Sequence, residues 1–448
     1  MKLWRNKWFK FALWGTLYLL WVIWLGNYWW LLGLPVIFDL YITKKVRWAF
    51  WRRKEKKGNI TDTLLDWLDA GIFAVVAAML IKIFWFEAFT IPSPSMEKTL
   101  LTGDYLFVSK LAYGPKIPQT PVSVPLVHNS IFGKESYSTI IQNKYRRLKG
   151  FGKVEREDIV VFSFPHGDSV LTQIPQADYY QMVRLNGGQN KAIIDAYGPL
   201  VVRPKDKKDN YVKRCVAVAG DTLQIIDGAV YVNRRKETSR TTLQSSYAVQ
   251  TKGDAINTMV LEDIGVNPQE ALFDPSMPGY PDLPLTVAEA EKISKLPIVL
   301  KVTENIDVYP PDYPDSPLML FPFDTLRRWT RDNYGPIWIP QKGATVELNE
   351  VTLPLYRRVI TSYEDNTLEI KDGKYFINGE ETTSYTFRQD YYWMMGDNRH
   401  NSLDSRYWGF VPEDHIVGTP YVIWFSKGSG GGPLGIRWNR LLKFVRHI

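Results

Sequence analysis

The sequence predicts a mainly β protein: an antiparallel sheet domain held by N-terminal transmembrane helices and carrying a large inserted subdomain. Three observations lead there. Two long apolar runs are confined to the N-terminal region, short runs rich in Val, Ile, Tyr and Phe follow Phe89, and Asp227-Gly228 and Asp372-Gly373 each sit between alternating runs as hairpin turns.

From Phe11 to Phe38 there is no charged residue, and about 20 apolar residues suffice to cross a bilayer. Asn27 and Pro35 leave two forms open, one tilted helix or a helix followed by a shallow interfacial stretch containing Trp29 and Trp30. The second run spans about Ala70 to Phe89, with Lys82 and Glu87 near its far end, where a lysine can snorkel to the interface. The basic loop between them, KKVRWAFWRRKEKK over 44–57, is cytoplasmic by the positive-inside rule. The second helix then delivers the rest of the chain to the opposite side. A cleaved leader is the competing reading, but no small-residue cleavage site precedes the second run.

Beyond Phe89, strands are expected within 104–114, 158–165, 211–221 and 222–233, and again over 367–381. Two stretches interrupt them, 166–210 and about 236–350. The longer one, rich in Pro, Asp and Tyr, reads as an inserted subdomain with one helix-like patch at 285–296. A faint internal similarity places Tyr211, Leu223, Asp227 and Asn233 on Tyr356, Leu368, Asp372 and Asn378, and places Lys213 on Arg358. The C-terminal segment 428–448 mixes Trp438, Leu441 and Phe444 with Arg437, Arg440 and Lys443, a basic amphipathic tail suited to a membrane surface.

The composition narrows the function classes. A single cysteine, Cys215, among 448 residues excludes an intramolecular disulfide framework, and five histidines form no HExxH pattern. No metal or cofactor is expected. The net charge of +8 concentrates beside apolar segments, which favours an anionic lipid surface over nucleic acid as partner.

Three segments carry chemistry. Ser95, in FTIPSPSMEK, lies six residues beyond Phe89, so its hydroxyl works within about 20 Å of the end of the apolar run. Such a serine needs a base, and there is no obvious Ser-His-Asp arrangement. Lys213 sits among Val212, Val216 and Val218, neighbours able to desolvate the amine and depress its pKa. The third segment, GDNRHNSLDSR over 396–406, is dense in Asp, Asn, Arg and Ser, with Asp404–Arg406 or Asp397–Arg399 as candidate pairs in a positioning network.

In order, IPSPSMEKTLLTGDYLFVSKLAYG, REDIVVF, YVKRCVAVAGD and GDNRHNSLDSRYWGFVPEDHIVG resemble the motif boxes of bacterial type I signal peptidases, Ser-Lys dyad serine proteases. The resemblance covers roughly 89–114, 154–165, 211–233 and 385–425. It implies Ser95 as nucleophile and Lys213 as general base. It further implies Ser93 as an oxyanion donor beside the Ser95 N–H, Ser402 as the group orienting the lysine, and Asp397, Asp404 and Arg406 as support. Its expected substrates are exported preproteins with signal peptides, cut after small side chains, at the bacterial inner membrane with the catalytic domain on the extracytoplasmic side.

The expected organisation is an anchor over 1–88, catalytic parts over 89–235 and 351–427, the insertion over 236–350 and the tail. The insertion carries none of the matched boxes and is expected to tune substrate access or partner binding. Departures from the family pattern are Lys98 where proline is usual, Glu157 in place of the glycine of Arg-Gly-Asp, and His400 for an aspartate. The competing functions are a self-cleaving repressor, disfavoured by two membrane segments, a conjugation-type processing peptidase, and an inactive module that holds signal sequences.

Overall fold

The structure is a computed structural model and describes residues 4, 6–46, 60–165, 169–171, 173–174, 179–237, 240–309, 319–324, 326–428 and 431–445. Most of the basic loop, 47–57, and the Pro-rich 310–317 lie outside the described residues. The chain divides into two compact units, Met1–Trp85 with Gly114–Phe151, and Phe86–Tyr113 with Gly152–Ile448.

In the first unit, helix α1 spans Lys7–Leu25, capped by the Asn6 side chain on Trp8 N–H. It stops because Gly26 adopts φ 60° and turns its N–H back onto the Val22 and Ile23 carbonyls, a left-handed ending that glycine takes without steric cost. A 3₁₀ turn, Tyr28–Leu32, and a short helix, Gly33–Phe38, follow. Of the two forms left open, the first run is therefore a helix plus a separate short piece holding Trp29 and Trp30. Helix α2 covers Ile60–Phe84, starting earlier than the apolar run and ending before Glu87. Both helices are long and apolar enough to cross a membrane, with mean hydropathy 1.4 for Lys7–Leu25 and 2.0 for Asp62–Phe84. Segment 114–151 folds with them: Arg146 donates to the Leu25 carbonyl at 2.5 Å and Trp24 Nε1 to the Lys149 carbonyl at 2.9 Å. The arginine thus satisfies one of the orphan carbonyls at the end of α1.

The second unit is built on an eight-stranded sheet. Its strands are β1 (Phe86–Thr90), β2 (Asp104–Ser109), β3 (Ile159–Ser163), β4 (Asn210–Ala217), β5 (Tyr391–Met395), β6 (Val411–Pro412), β7 (Ile416–Ser426) and β8 (Lys443–Phe444). The order is β1-β2-β7-β3-β4-β5-β6, every pairing is antiparallel, and β8 pairs with β7. The fold class is thus the one expected, mainly antiparallel β. Glu87 and Phe89, expected at the end of the second apolar helix, belong instead to β1, where Phe89 faces Leu106 across the ladder. One wall of the sheet is a core of Ile91, Met96, Leu106, Val108, Val161 and Ile423. A larger core around Trp393, Phe410, Tyr334, Tyr356 and Phe387 fills the other side of β4 and β5.

The interruption at 236–350 consists of two different things. Residues 245–304 form a three-stranded sheet, Gly279–Leu285, Ser245–Thr251 and Val299–Glu304, with helices Thr258–Ile264 and Val287–Ser294 on it. They bury their own core of Val249, Leu261, Tyr280, Leu283 and Ile293. The later part returns to the main unit: strand Tyr334–Trp338 pairs with Thr222–Ile226, and Tyr334 and Ile337 enter the large core. The helix expected at 285–296 forms over Val287–Ser294, started by a Thr286/Glu289 capping box.

Both Asp-Gly hairpins form, with Asp227 and Asp372 at φ 46° and 50°. Their similarity extends to an identical clasp. Asn233 Oδ1 accepts from Thr222 N–H and its Nδ2 donates to Asp221, while Asn378 does the same with Thr367 and Asn366. The correspondence fails upstream, because Lys213 lies in β4 whereas Arg358 ends a helix, Leu353–Arg358. The described part of the tail also differs from a free surface segment. Arg440 is buried and paired with Asp104 at 2.6 Å, and β8 extends the sheet from β7. A buried carboxylate on the sheet outcompetes solvent for that guanidinium.

Candidate active site

Ser95 sits in a 3₁₀ turn, Pro94–Met96, on the connection between β1 and β2. Pro94 pre-sets the backbone angle at the start of this turn, and Met96 anchors it by full burial. The Glu97 N–H closes on the Pro94 carbonyl at 2.9 Å and Leu100 N–H on Met96 at 2.7 Å. Lys98 continues the loop at φ 72°, a conformation that proline, fixed near −65°, cannot adopt.

Lys213 reaches this turn from β4, opposite Val160 of β3. Its Nζ donates to Ser95 Oγ at 2.7 Å and to the Val212 carbonyl at 3.0 Å. The side chain is almost fully enclosed, at 3 % exposure. Burial lowers its pKa from 10.5 to about 8, outweighing the opposing charges of Asp404 and Asp397. Ser93 Oγ lies 3.3 Å from Ser95 Oγ.

The 396–406 loop supports these groups from below. Asn398 N–H donates to the Ser95 carbonyl at 3.1 Å. Gly396 is required by space: a Cβ there would lie 2.5 Å from the Ser95 carbonyl oxygen and 2.3 Å from Ser402 Oγ. Asp397 is fully buried and pairs with Arg214 through two bonds of 2.7 and 2.5 Å, also accepting from Thr99 Oγ1 at 2.6 Å. Its expected alternative partner, Arg399, turns instead to Glu237 at 3.1 Å. Asp404 and Arg406 do pair, at 2.8 and 2.9 Å, and Asp404 also accepts the Gly396 N–H. Burial pushes the Asp404 carboxyl up, but the Arg406 charge and hydrogen bonds outweigh it and hold the group below its ordinary value.

Ser402 lines the same cleft, yet among the described residues its buried hydroxyl has no hydrogen-bond partner, so the expected contact with Lys213 is not made. Sequence reasoning missed Arg214, Thr99, Gly396 and Asn398. Arg214 had a signal: successive strand residues face opposite ways, and the run Cys215, Val216, Ala217 is apolar on both faces, so the arginine opposite Lys213 is also buried and needs a carboxylate.

The cleft that opens on Ser95 and Lys213 has a volume of about 680 Å³ and is walled by Phe89, Ile91, Leu106, Val161 and Met319. Asp307, Asp332 and His400 lie close enough together to suggest a metal site, but their ligand atoms are engaged. Arg331 holds both Asp307 oxygens at 2.5 and 3.0 Å. His400 Nδ1 accepts the Ser246 N–H at 3.1 Å, which leaves the proton on Nε2 facing Asp332 at 2.8 Å.

A hydroxyl hydrogen-bonded to a desolvated amine in an apolar cleft is the equipment of a serine hydrolase. Comparison with known proteins narrows the class. The model for "Signal peptidase, peptidase S26" matches residues 64–271 and 339–425. The chain is similar to Signal peptidase I of Haemophilus influenzae, 25 % identical over 84 % of this chain and 75 % of that protein. It is 24 % identical to Signal peptidase I of Buchnera aphidicola over 88 % and 85 % of the two chains, and 22 % identical to that of Helicobacter pylori over 83 % and 89 %. The protein is a serine peptidase. It belongs to the signal peptidase family, peptidase S26.

Proposed function

We propose that this chain is a membrane-anchored endopeptidase that removes N-terminal signal peptides from exported preproteins through a Ser95–Lys213 dyad. The observation that carries this reading is the 2.7 Å contact between Lys213 Nζ and Ser95 Oγ in a buried site that lowers the amine to about 8. Neutral Lys213 takes the proton as Ser95 attacks the scissile carbonyl. Lys213 then returns it to the departing amine, and the acyl-enzyme forms. A water deprotonated by Lys213 releases the signal peptide, so no cofactor is needed. Ser93 Oγ and the Ser95 N–H stabilise the oxyanion, a contribution of about 3 kcal/mol per donor. Asp397, Asp404 and Arg406 hold the loop beneath the dyad, and Ser402 lines the cleft beside it. The scissile residue's small side chain packs against the apolar wall beside Ser95.

Two apolar helices precede β1 in the chain and support anchoring. The basic 44–57 loop supports a cytoplasmic position between them, which puts the catalytic unit on the extracytoplasmic side of the bacterial inner membrane. Partly exposed aromatic rings on β1, β2, β7 and β8, Phe86, Phe107, Tyr421, Trp424 and Phe444, suit contact with the bilayer, including its anionic lipids. Nucleic acid has no part in this reading.

Cleavage of a preprotein by the wild type and Ser95→Ala, side by side in detergent micelles, tests it. Processing at the signal junction by the wild type alone is the expected result. Cleavage by Ser95→Ala would reject the nucleophile.

A further inference from the structure

Two loops carry the dyad's nucleophilic side, 94–100 and 396–406, and both are held by the small sheet at 245–304. Lys98 Nζ donates to the Gly265 carbonyl at 2.5 Å and pairs with Glu289 at 2.7 Å. Gly265 ends the helix Thr258–Ile264 at φ 110°, and a Cβ there would come within 3.0 Å of Glu289 Oε1. Glu289 is itself fixed, since its other oxygen accepts the Thr286 N–H in the capping box at 2.8 Å. At the root of the same sheet, Gln244 brackets Asn398. Its N–H donates to the Asp397 carbonyl and its carbonyl accepts from Arg399 N–H, both at 2.9 Å. Asn398 in turn donates to the Ser95 carbonyl at 3.1 Å. Finally, His400 accepts the Ser246 N–H. The two positions that depart from the family pattern beside the site, Lys98 and His400, therefore both contact this subdomain, His400 through Nδ1 while its Nε2 faces Asp332.

Building on the proposed dyad, we infer that the 245–304 subdomain is a positioning clamp for the nucleophile, with Lys98 and Glu289 as its positioning residues. It grips the loop just after Ser95 through Lys98 and the loop beneath Ser95 through Gln244 and His400. Ser95 Oγ is thereby fixed against Lys213 Nζ. The left-handed backbone of Lys98, at φ 72°, is strained in a residue with a side chain, and the two bonds made by its ammonium hold that conformation. A rigid pair of grips on one small folded body sets the separation of two loops better than either loop does alone. Near-attack geometry is sensitive at this scale: a displacement of 1 Å costs about a hundredfold in rate.

The test uses the full chain in micelles with a synthetic peptide spanning a signal cleavage site. Lys98→Ala breaks one partner, and Glu289→Gln breaks the other while an amide oxygen keeps the helix cap. Each should lower kcat about tenfold or more with KM within about twofold. The double variant should be no worse than the poorer single, because one contact is lost in all three. Lys98→Arg, which keeps a donor for both partners, should recover most of the rate. Wild-type kcat in Lys98→Ala or Glu289→Gln, or losses that multiply in the double variant, would overturn the clamp. Lys213→Ala run alongside separates the readings: activity there rejects the dyad, whereas inactivity there with full kcat in the clamp variants rejects the clamp alone. If Lys98→Ala does not fold, Glu289→Gln, with its cap intact, decides the matter by the same kcat criterion.

Discussion

Replacing Lys213 by methionine should abolish peptide cleavage and at the same time stabilise the protein near neutral pH. The magnitude follows from the burial of the amine. Its pKa falls from 10.5 to about 8, and each unit corresponds to about 1.4 kcal/mol, so folding with this lysine costs about 3 kcal/mol wherever it is protonated in both the folded and the unfolded chain. The unfolded chain binds the extra proton between pH 8 and 10.5, so this cost is full below about pH 8, shrinks across that interval and vanishes above it. Methionine fills a similar volume without a charge, but loses the hydrogen bonds to Ser95 and the Val212 carbonyl, about 1 kcal/mol each. A net gain of about 1 kcal/mol at pH 7 remains, and by pH 10 it has turned into a loss of about 1 kcal/mol, because the charge cost fades while the lost hydrogen bonds do not. Urea unfolding of the wild type and variant at pH 7 and pH 10 measures it. In parallel, wild-type kcat/KM should climb about tenfold per pH unit up to about pH 8 and then level off, since only the neutral amine accepts the serine proton. A flat rate between pH 6 and 9, together with a Lys213→Met variant less stable than wild type at pH 7 by the same margin as at pH 10, would refute the buried neutral base.

Three further outcomes are expected. Arg214→Met should destabilise the fold by about 3–5 kcal/mol, because it strands the fully buried Asp397 carboxylate; thermal unfolding reads this, and Asp397→Asn should be nearly as costly. Gly396→Ala should cut turnover at least a hundredfold, since its methyl group would drive apart the Ser95 carbonyl and Ser402, and peptide kinetics on the folded variant check it. A reporter fused after Lys57 should behave as cytoplasmic and one fused after Lys427 as exported, the reverse pattern contradicting the proposed orientation.

The sequence alone determined those features that local pattern or simple chemistry controls. Apolar length announced the two N-terminal helices, Asp-Gly turns announced both hairpins, and the pattern of 285–296 announced the helix found at Val287–Ser294. The order of motif boxes led to Ser95 and Lys213, which lie 118 positions apart yet touch. Element ends were less legible. Phe86, Ala88 and Phe89 carry the apolar run on past the helix, and only pairing with β2 makes that segment a strand. Residues 334–338 read as part of an insertion until Thr222–Ile226 supplied an edge to pair with. Arg358 matched Lys213 by spacing, but packing of Leu353, Leu355 and Tyr356 into the large core makes that segment helical.

Only the tertiary structure decided who partners whom. Asp397 had Arg399 two residues away and chose Arg214, because a carboxylate with no exposed surface needs a guanidinium delivered from inside the sheet, and Arg399 leaves the loop toward Glu237. Arg440 looked like a membrane-facing cation and became the buried partner of Asp104. Periodicity specifies which face of a strand or helix is apolar, whereas a charge is satisfied by whatever opposite charge the finished packing brings within about 3 Å. For that reason the sequence names the proposed reacting pair and the chain's architecture, while the network around that pair exists only once distant segments have met.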